Sequence, residues 1–466
     1  MSGEPESSQR TSIQPRLRRS LTLWDLILYG VIVIQPVAPM SVYGVLSDRG
    51  HGHVVTAILI AMVAMLFTGI SYGRMARAYP SAGSAFTYVA QEINPALGYV
   101  TGWSMVMDYL LNPLICTIWC AGVSHDFAPG VPLWAWKIFF AVVFTLLNIR
   151  GVKTSARINA GMGAGMGAVV VIIFVASARY IFGHPHSDPG FFTRPFYDPS
   201  MFGAKALFGA TSVAVLTYIG FDGISTLSEE AENPRRNIMY ATVLTCAVIG
   251  VLSAVEVYVA QLIWPASRPF ANVDTAYVQV MGHVWPSLQL FGHDVAPLAV
   301  LVGATLLLAN FGSGMGSQLG AARLLYGMGR SNALPKSFFG AIDPNHHVPR
   351  NNVIFVGVIV LIGCAHFGPY FISYGLGAEM LNFGALIAFM GVNAAAFMRY
   401  FVRAPEKKVW NFIPPVAGFF ICLALWVNLS RPAIIVGSIW MTLGILFGVW
   451  KTNWFRKPLS FEVAAE

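Results

Sequence analysis

The stretch VIVIQPVAPMSVYG, Val31–Gly44, decides how the chain is read. It lies inside an apolar run of the length that a membrane-spanning helix needs, about 20 residues. Within it stand two prolines, Pro36 and Pro39, next to Gln35 and followed by Ser41 and Gly44. Proline removes a backbone donor and clashes with the preceding turn. In lipid, the freed carbonyls must find partners or face a protein-lined cavity. A lone proline reads as a kink that neighbouring helices repair. Two prolines beside a glutamine read as a true break.

The composition around this stretch is that of a polytopic membrane protein. Of 466 residues, 56 % are hydrophobic and only 11 % charged, against about 25 % charge in soluble domains. The five cysteines lie in apolar runs without a CxxC pair and read as small buried hydrophobes. No cleavage site follows the polar, arginine-bearing first twenty residues, so the first span is expected to be retained. Twelve spans are expected, near 22–46, 54–78, 97–123, 132–150, 158–182, 205–229, 239–264, 294–320, 351–367, 376–401, 411–429 and 432–450. With the N-terminus inside, 22 of the 29 Lys and Arg fall on the cytoplasmic side. That bias predicts an even number of spans and both termini in the cytoplasm. The net charge of +8 then reflects topology, and nucleic-acid binding has little support.

A second break candidate is LTYIGFDGISTLSEE in the sixth span, where Gly220 and Gly223 bracket Asp222. Glycine weakens a helix, and a mid-span carboxylate costs about 2.5–3.5 kcal/mol on insertion scales. Unwinding is expected around Phe221–Gly223. Breaks in spans one and six imply two five-span halves of opposite orientation, the signature of inverted-repeat secondary transporters with a site between the breaks. The expected organisation is a tail (1–20), a first repeat (21–183), an extracytoplasmic loop (184–204), a second repeat (205–402), two further spans (403–451) and a tail (452–466). Direct self-similarity between the halves is weak, so the repeat rests on the placement of the breaks.

Three carboxylates lie deep in spans: Asp108, Asp222 and Glu256. No Lys or Arg is comparably deep, so a substrate cation, a proton or sodium would supply the compensation. The alternative is that the acids are protonated or hydrogen-bonded and serve only to fill space. The membrane potential would favour uptake of a cation by about 2.3 kcal/mol per charge per 100 mV.

Four motifs carry a resemblance. YIGFDGISTLSEEAENPRRNI (Tyr218–Ile238), ISYGRMARAYPSAGSAFTYV (Ile70–Val89), ARLLYGMGRSNALP (Ala322–Pro335) and MLNFGALIAFMGVN (Met380–Asn393) look like the amino acid–polyamine–organocation permeases. The similarity runs over nearly the whole chain, and within the family it is greatest to bacterial putrescine importers. The resemblance implies an all-α fold with a five-plus-five inverted-repeat core, LeuT-like, followed by two extra helices. Carried over by position, it puts Gln35, Pro36, Val37, Ala38, Pro39 and Ser41 on one wall of the substrate site. It puts Tyr218, Ile219, Gly220, Phe221, Asp222 and Gly223 on the other. It links the acid at Asp222 to proton coupling or amine recognition. There are departures. Gln35–Pro39 replaces the small Gly-Ser-Gly type run that holds a substrate carboxylate in antiporters of the family. Ser41 stands where putrescine importers, as aligned, have aspartate, which leaves the second charge of a diamine without a partner. Span five lacks the lysine of some proton-coupled members. Ser313 and Ser317 would line a cation site, without a complete sodium set.

Other signals are weaker. GMGAGMG (Gly161–Gly167) resembles a phosphate loop but lies in a span, where close helix contact by small residues is favoured. The histidines of HGH (His51–His53), HPH (His184–His186) and His346-His347 read as loop residues ahead of metal ligands. Tyr109 and Trp103 flank Asp108 and are placed either to stack on an ammonium or to fill space. The expectation is an inner-membrane permease importing an amine or amino acid by alternating access, with a proton ahead of sodium as coupling ion and no cofactor or metal. An exchanger and a transporter-like sensor remain as alternatives. A multi-pass enzyme lacks a nucleophile–base pair.

Overall fold

The computed structural model describes residues 21–79, 84–150, 156–185, 188–227, 231–290, 293–330, 334–343, 346, 348–365 and 372–452. The tails, Lys153, His186, His347, the acidic run 228–230 and the motif segments 80–83 and 331–333 lie outside these residues.

The first span is two helices. α1 (Leu23–Ile34) opens with a capping box, in which the Asp25 N–H donates to the Thr22 hydroxyl and the Thr22 N–H donates to the Asp25 carboxylate at 2.9 Å. It stops at Gln35, and α2 (Ala38–Arg49) leaves at an angle of 49°. Then come α3 (Val54–Ala78), a short α4 (Ser84–Glu92) and α5 (Pro95–Phe127). Asn94 caps α5 by accepting the Leu97 N–H at 2.8 Å. α6 (Leu133–Ile149) and α7 (Ala156–Gly183) complete the first five spans.

The sixth span is α8 (Ala204–Ala214), a 3-10 turn (Val215–Tyr218) and the single turn α9 (Gly223–Thr226). The expected unwinding at Phe221–Gly223 is thus only its end; the α-helix already stops at Ala214. The chain continues with α10 (Pro234–Ile263), α11 (Ala276–Val284) and a small antiparallel hairpin. In the hairpin β1 (Leu288–Leu290) pairs with β2 (His293–Val295), Leu288 opposite Val295. α12 (Pro297–Arg330), α13 (Lys336–Phe339), α14 (Arg350–Cys364), α15 (Tyr374–Phe397), α16 (Val409–Val427) and α17 (Arg431–Thr452) follow.

Among the described residues nine helices are long and apolar enough to cross a membrane, and the bent α1–α2 pair makes ten. The shorter apolar α6 and α14 occupy the fourth and ninth expected positions. The all-α polytopic fold is therefore present, with helix at all twelve expected places. Large apolar side chains face outward on the peripheral helices, among them Trp134, Val175 and Trp450, which is 76 % exposed. In water such a belt would be a liability; in lipid it costs nothing.

Three of the extensive helix contacts join a span to the fifth one after it, alongside others such as α5 with α15 and α15 with α16. α3 lies along α10, α5 along α12 and α6 along α14, each a span against the fifth one after it. Small residues bring these pairs close: Gly73 of α3 meets Met239, and Gly250 of α10 meets Met62. The glycine run of α7 contributes less than expected. Gly163 abuts Ile32 of α1, whereas Gly161, Gly165 and Gly167 face open space. Alternate positions on a helix point in widely different directions, so one neighbour cannot touch them all.

α17 is fixed to α5 by a pair of indoles. Trp103 donates its ring N–H to the Trp440 carbonyl at 3.0 Å, and Trp440 returns the bond to the Trp103 carbonyl at 3.2 Å. The rings stack at 4.8 Å, and Gly444 lies against Trp103. Trp103 therefore faces the twelfth span, away from Asp108. Gly444→Leu should overpack this contact and cost about 1–3 kcal/mol. A thermal melt of the detergent-solubilised protein should show a clear drop in Tm, and an unchanged melt would mean that α17 is loosely held.

Candidate substrate site

At the first break the backbone leaves the helical path through Gln35, whose φ is +68°. Its N–H still donates to the Val31 carbonyl at 3.0 Å, and the Ala38 N–H turns back to the Gln35 carbonyl at 3.1 Å. Pro36 has no N–H, and the Ala38 N–H is spent on Gln35. The Ile32 and Ile34 carbonyls thus lose their α-helical donors. The Gln35 side chain does not point at a ligand. Its Nε2 donates to the Ala309 carbonyl of α12 at 2.8 Å. One residue on, Asn310 donates to the Ser41 hydroxyl at 3.2 Å, and the Tyr374 hydroxyl also meets Ser41. Val37 and Pro39 are buried, while Pro36 and Ala38 are buried and half-buried beside them. α12 thus grips the first break on both sides.

The second break is supported from α15. Asn382 donates through Nδ2 to the Ser212 carbonyl at 2.7 Å and to Val213 at 3.4 Å. The Thr217 hydroxyl takes the Ala214 carbonyl at 2.8 Å. Tyr218 is fully buried and its hydroxyl donates to the Ile58 carbonyl of α3 at 3.0 Å. Phe221 is buried edge-to-face on Tyr72 (5.4 Å) and beside Phe389 (5.2 Å). Tyr218 and Phe221 hold the turn in place, and Ile219 packs half-buried against the main core.

The two breaks meet at Gly220. Its φ is +114°, and a Cβ there would lie 3.1 Å from Val33 Cγ1 and 3.8 Å from the Ile34 nitrogen. Only glycine combines that dihedral with that approach. Two residues on, Asp222 is nearly buried, and the backbone N–H groups of Gly220, Asp222 and Gly223 turn toward its carboxylate. A side chain at Gly223 would approach the Tyr29 hydroxyl of α1, 3.9 Å from its Cβ.

Asp222 and Asp108 of α5 lie within electrostatic reach of each other. Tyr72, Tyr109 and both carboxylates form one interacting group. Asp108 and Tyr109 remain half-buried, and Tyr109 lies against Gly320 of α12. The Tyr72 hydroxyl is buried with no partner among the described residues. No Lys or Arg there acts on either acid. Two carboxyl groups, phenol oxygens and backbone carbonyls with no Lys or Arg acting on the acids make a cluster of hydrogen-bond acceptors, chemically suited to an ammonium group.

Ser313 and Ser317 are on α12 but do not join this group. The Ser313 hydroxyl meets the Cys116 thiol, and Ser317 donates to the Ser313 carbonyl at 2.7 Å. A cavity of about 140 Å³ lined by His51, Asp188, Arg194, Asp198 and Gln261 opens elsewhere, between the α2–α3 and α7–α8 connections. Its acids are paired by Arg194.

Several residues of this arrangement were not legible in the sequence. Asn310 and Asn382 act through side-chain hydrogen bonds to partners far away in the chain, the Ser41 hydroxyl and the Ser212 and Val213 carbonyls. The bond from Gln35 to the Ala309 carbonyl is equally long-range, and no local pattern announces these partners. Glu379 of α15 is buried, bonded to Arg49 at the end of α2 and to the Ser430 N–H. Glu92 is buried between Arg399 and Arg403. Both acids sit near helix ends, where the sequence reads as interface.

Comparison with known proteins agrees with this architecture. The amino acid permease family profile matches residues 33–453. The chain is 32 % identical over 452 residues to the low-affinity putrescine importer PlaP of Escherichia coli strain K12, covering 95 % of this chain and 96 % of that one. It is 23 % identical to the branched-chain amino acid permease BcaP of Bacillus subtilis, covering 94 % and 93 %. It is 25 % identical to the methylthioribose transporter of the same organism, covering 95 % of each. With helices at every expected span and a profile match over most of its length, the chain belongs to the amino acid permease family: it is a multi-pass membrane permease of the amino acid and amine type, and not an enzyme.

Proposed function

We propose that this permease imports a small organic cation, a putrescine-like diamine ahead of an amino acid, across the inner membrane by alternating access with a proton as coupling ion. Both termini would lie in the cytoplasm. One observation carries the reading: the two helix breaks touch at Gly220 beside a pair of uncompensated carboxylates. The relatives have unlike substrates in their names, so the family by itself leaves the substrate open.

Asp222 would take one ammonium group and Asp108 the other, with Tyr109 alongside. Ser41 stands where a second acid was expected. Asp108 lies within reach of Asp222 and supplies the second negative charge from a different helix. Backbone carbonyls freed at Gln35–Pro39 and Tyr218–Gly223 would complete the coordination. Among the described residues no Lys or Arg acts at the two acids to take a substrate carboxylate, which is why a diamine stands ahead of an amino acid. The membrane potential alone would favour a dication by about 4.6 kcal/mol per 100 mV, twice the single-charge value.

In alternating access, the first, second, sixth and seventh spans would rock against the rest of the two repeats, 21–183 and 205–402, with 403–451 as a brace. The ion pair of Arg49 and buried Glu379, at the end of α2, would close the outer end of that path. Ser313 and Ser317 would have to leave their present partners to reach a cation, so coupling falls to the carboxylates.

Three outcomes test the reading. Asp222→Asn should reduce radiolabelled putrescine uptake into proteoliposomes at least tenfold, since a hydrogen bond to a charged group is worth about 1.5–3 kcal/mol. Expression should be unchanged, and near-normal uptake would remove Asp222 from the site. Asp108→Asn should raise KM for putrescine more than for a monoamine; equal effects on both would place Asp108 outside the second ammonium site. Competition by putrescine, cadaverine, monoamines and amino acids should rank the diamines first. Uptake that requires internal substrate and ignores an imposed pH gradient would identify an exchanger, and no uptake at all a sensor.

A further inference from the structure

α10 carries a third carboxyl group that the substrate site leaves unused. Glu256 lies about two turns before the end of the helix at Ile263 and is 0 % exposed. Among the described residues neither of its carboxyl oxygens has a hydrogen-bond partner. One turn earlier the Ser253 hydroxyl is likewise fully buried and unpartnered. Further along α10 the Thr245 hydroxyl is a third such group, close against Gly30 of α1.

The surroundings of Glu256 contain no counter-charge. On α11, Tyr277 is the titratable neighbour, and its hydroxyl donates to the Glu256 backbone carbonyl at 3.4 Å. On α2, Tyr43 stands edge-to-face on Tyr277 at 5.6 Å and gives its hydroxyl to Gln261 at 3.3 Å. Among the described residues no charged group on α1, α2, α3, α7 or α11 acts on the carboxyl. An ionised carboxylate without partner in such a place would cost more than a fold can tolerate. Glu256 therefore holds a proton in this conformation.

Its place gives that proton a use. Tyr277 of α11 lies on Glu256, and Tyr43 of α2 packs on Tyr277 and bonds Gln261, further along α10; α2 is also the helix whose end is tied to α15 through Arg49 and Glu379. Parting of that outer closure would bring water to the carboxyl, and re-closing would force it to be neutral again. We propose that Glu256 is the proton carrier of the transport cycle, loaded from the outer side and separate from Asp108 and Asp222, which hold the substrate. Outer water gives the proton to the ionised carboxylate. The neutral acid carries it through closure, and water reaching α10 from the cytoplasmic side past Ser253 and Thr245 takes it away. This assignment rests on the import reading above.

Two assays on proteoliposomes separate the roles. Counterflow of radiolabelled putrescine, with putrescine on both sides and no gradient, reports substrate translocation. Accumulation driven by an imposed pH gradient reports coupling. Glu256→Gln, a neutral mimic of the protonated acid, should keep counterflow within about twofold of the parent and lose the response to the gradient, whereas Asp222→Asn should lose both. A pH response in Glu256→Gln equal to the parent's would overturn the proposal, and so would loss of counterflow in a folded variant. Glu256→Leu, which removes the unpartnered polar atoms, is the second variant; if neither folds, the carboxyl is structural and the proposal fails. If the parent protein itself shows counterflow but no pH-driven accumulation, the proton role falls and the transport reading stands. If it shows neither, the import reading falls and takes this assignment with it.

Discussion

A backbone amide inside a bilayer has no water to turn to, and the rest of this structure depends on how that constraint is met at two places. At residues 35–37 and 215–222 the chain gives up helical hydrogen bonds. Side-chain amides tie the interrupted segments to neighbouring spans. Gln35, at the first break itself, reaches the Ala309 carbonyl of α12, and Asn310 of α12 reaches the Ser41 hydroxyl. Asn382 of α15 reaches the Ser212 and Val213 carbonyls at the second break. The groups left over between them are the ones a substrate can use.

The same constraint sorts the charges. Near the helix ends, buried acids are matched: Glu379 with Arg49, and Glu92 with Arg399 and Arg403. Toward the centre, Asp108, Asp222 and Glu256 have no basic partner among the described residues. Matched pairs suit closures that form and part as a unit. Unmatched acids suit sites that wait for a cation from outside the protein, either a substrate ammonium or a proton. Asp108 and Asp222 interact with each other and with Tyr72 and Tyr109. Glu256 is fully buried, and among the described residues Tyr277 of α11 is its titratable neighbour. That difference in surroundings, more than any difference between aspartate and glutamate, is the basis for proposing a binding role for the first two and a carrying role for the third.

Some sequence expectations carried further than others. The proline pair marked the first break to within a residue, because proline acts locally on its own hydrogen bonds. Gly220 marked the second break less well, since the helix had already ended at Ala214 under the influence of Asn382, which lies far along the chain. Ser41, Tyr218 and Trp103 carried polar groups that suggested ligands. All three are occupied by Asn310, the Ile58 carbonyl and the Trp440 carbonyl. The segment 265–293 lies between the seventh and eighth expected spans. It contains α11, with Tyr277 and Met281 fully covered, because its apolar residues find α2 and α12 as neighbours.

What the sequence determined alone was whatever depends on a residue's own chemistry against lipid: the spans, the break at Pro36, the depth of three acids and the family. What only the tertiary structure decided was which of those groups meet. Asp108 in the third span and Asp222 in the sixth lie within electrostatic reach of each other, while Glu256, nearer to Asp222 in sequence, does not interact with either. Hydrophobic periodicity places a helix face toward the interior, but the crossing of one helix on another selects its neighbours. That crossing is set by small residues such as Gly73, Gly220 and Gly250 through the distances they permit.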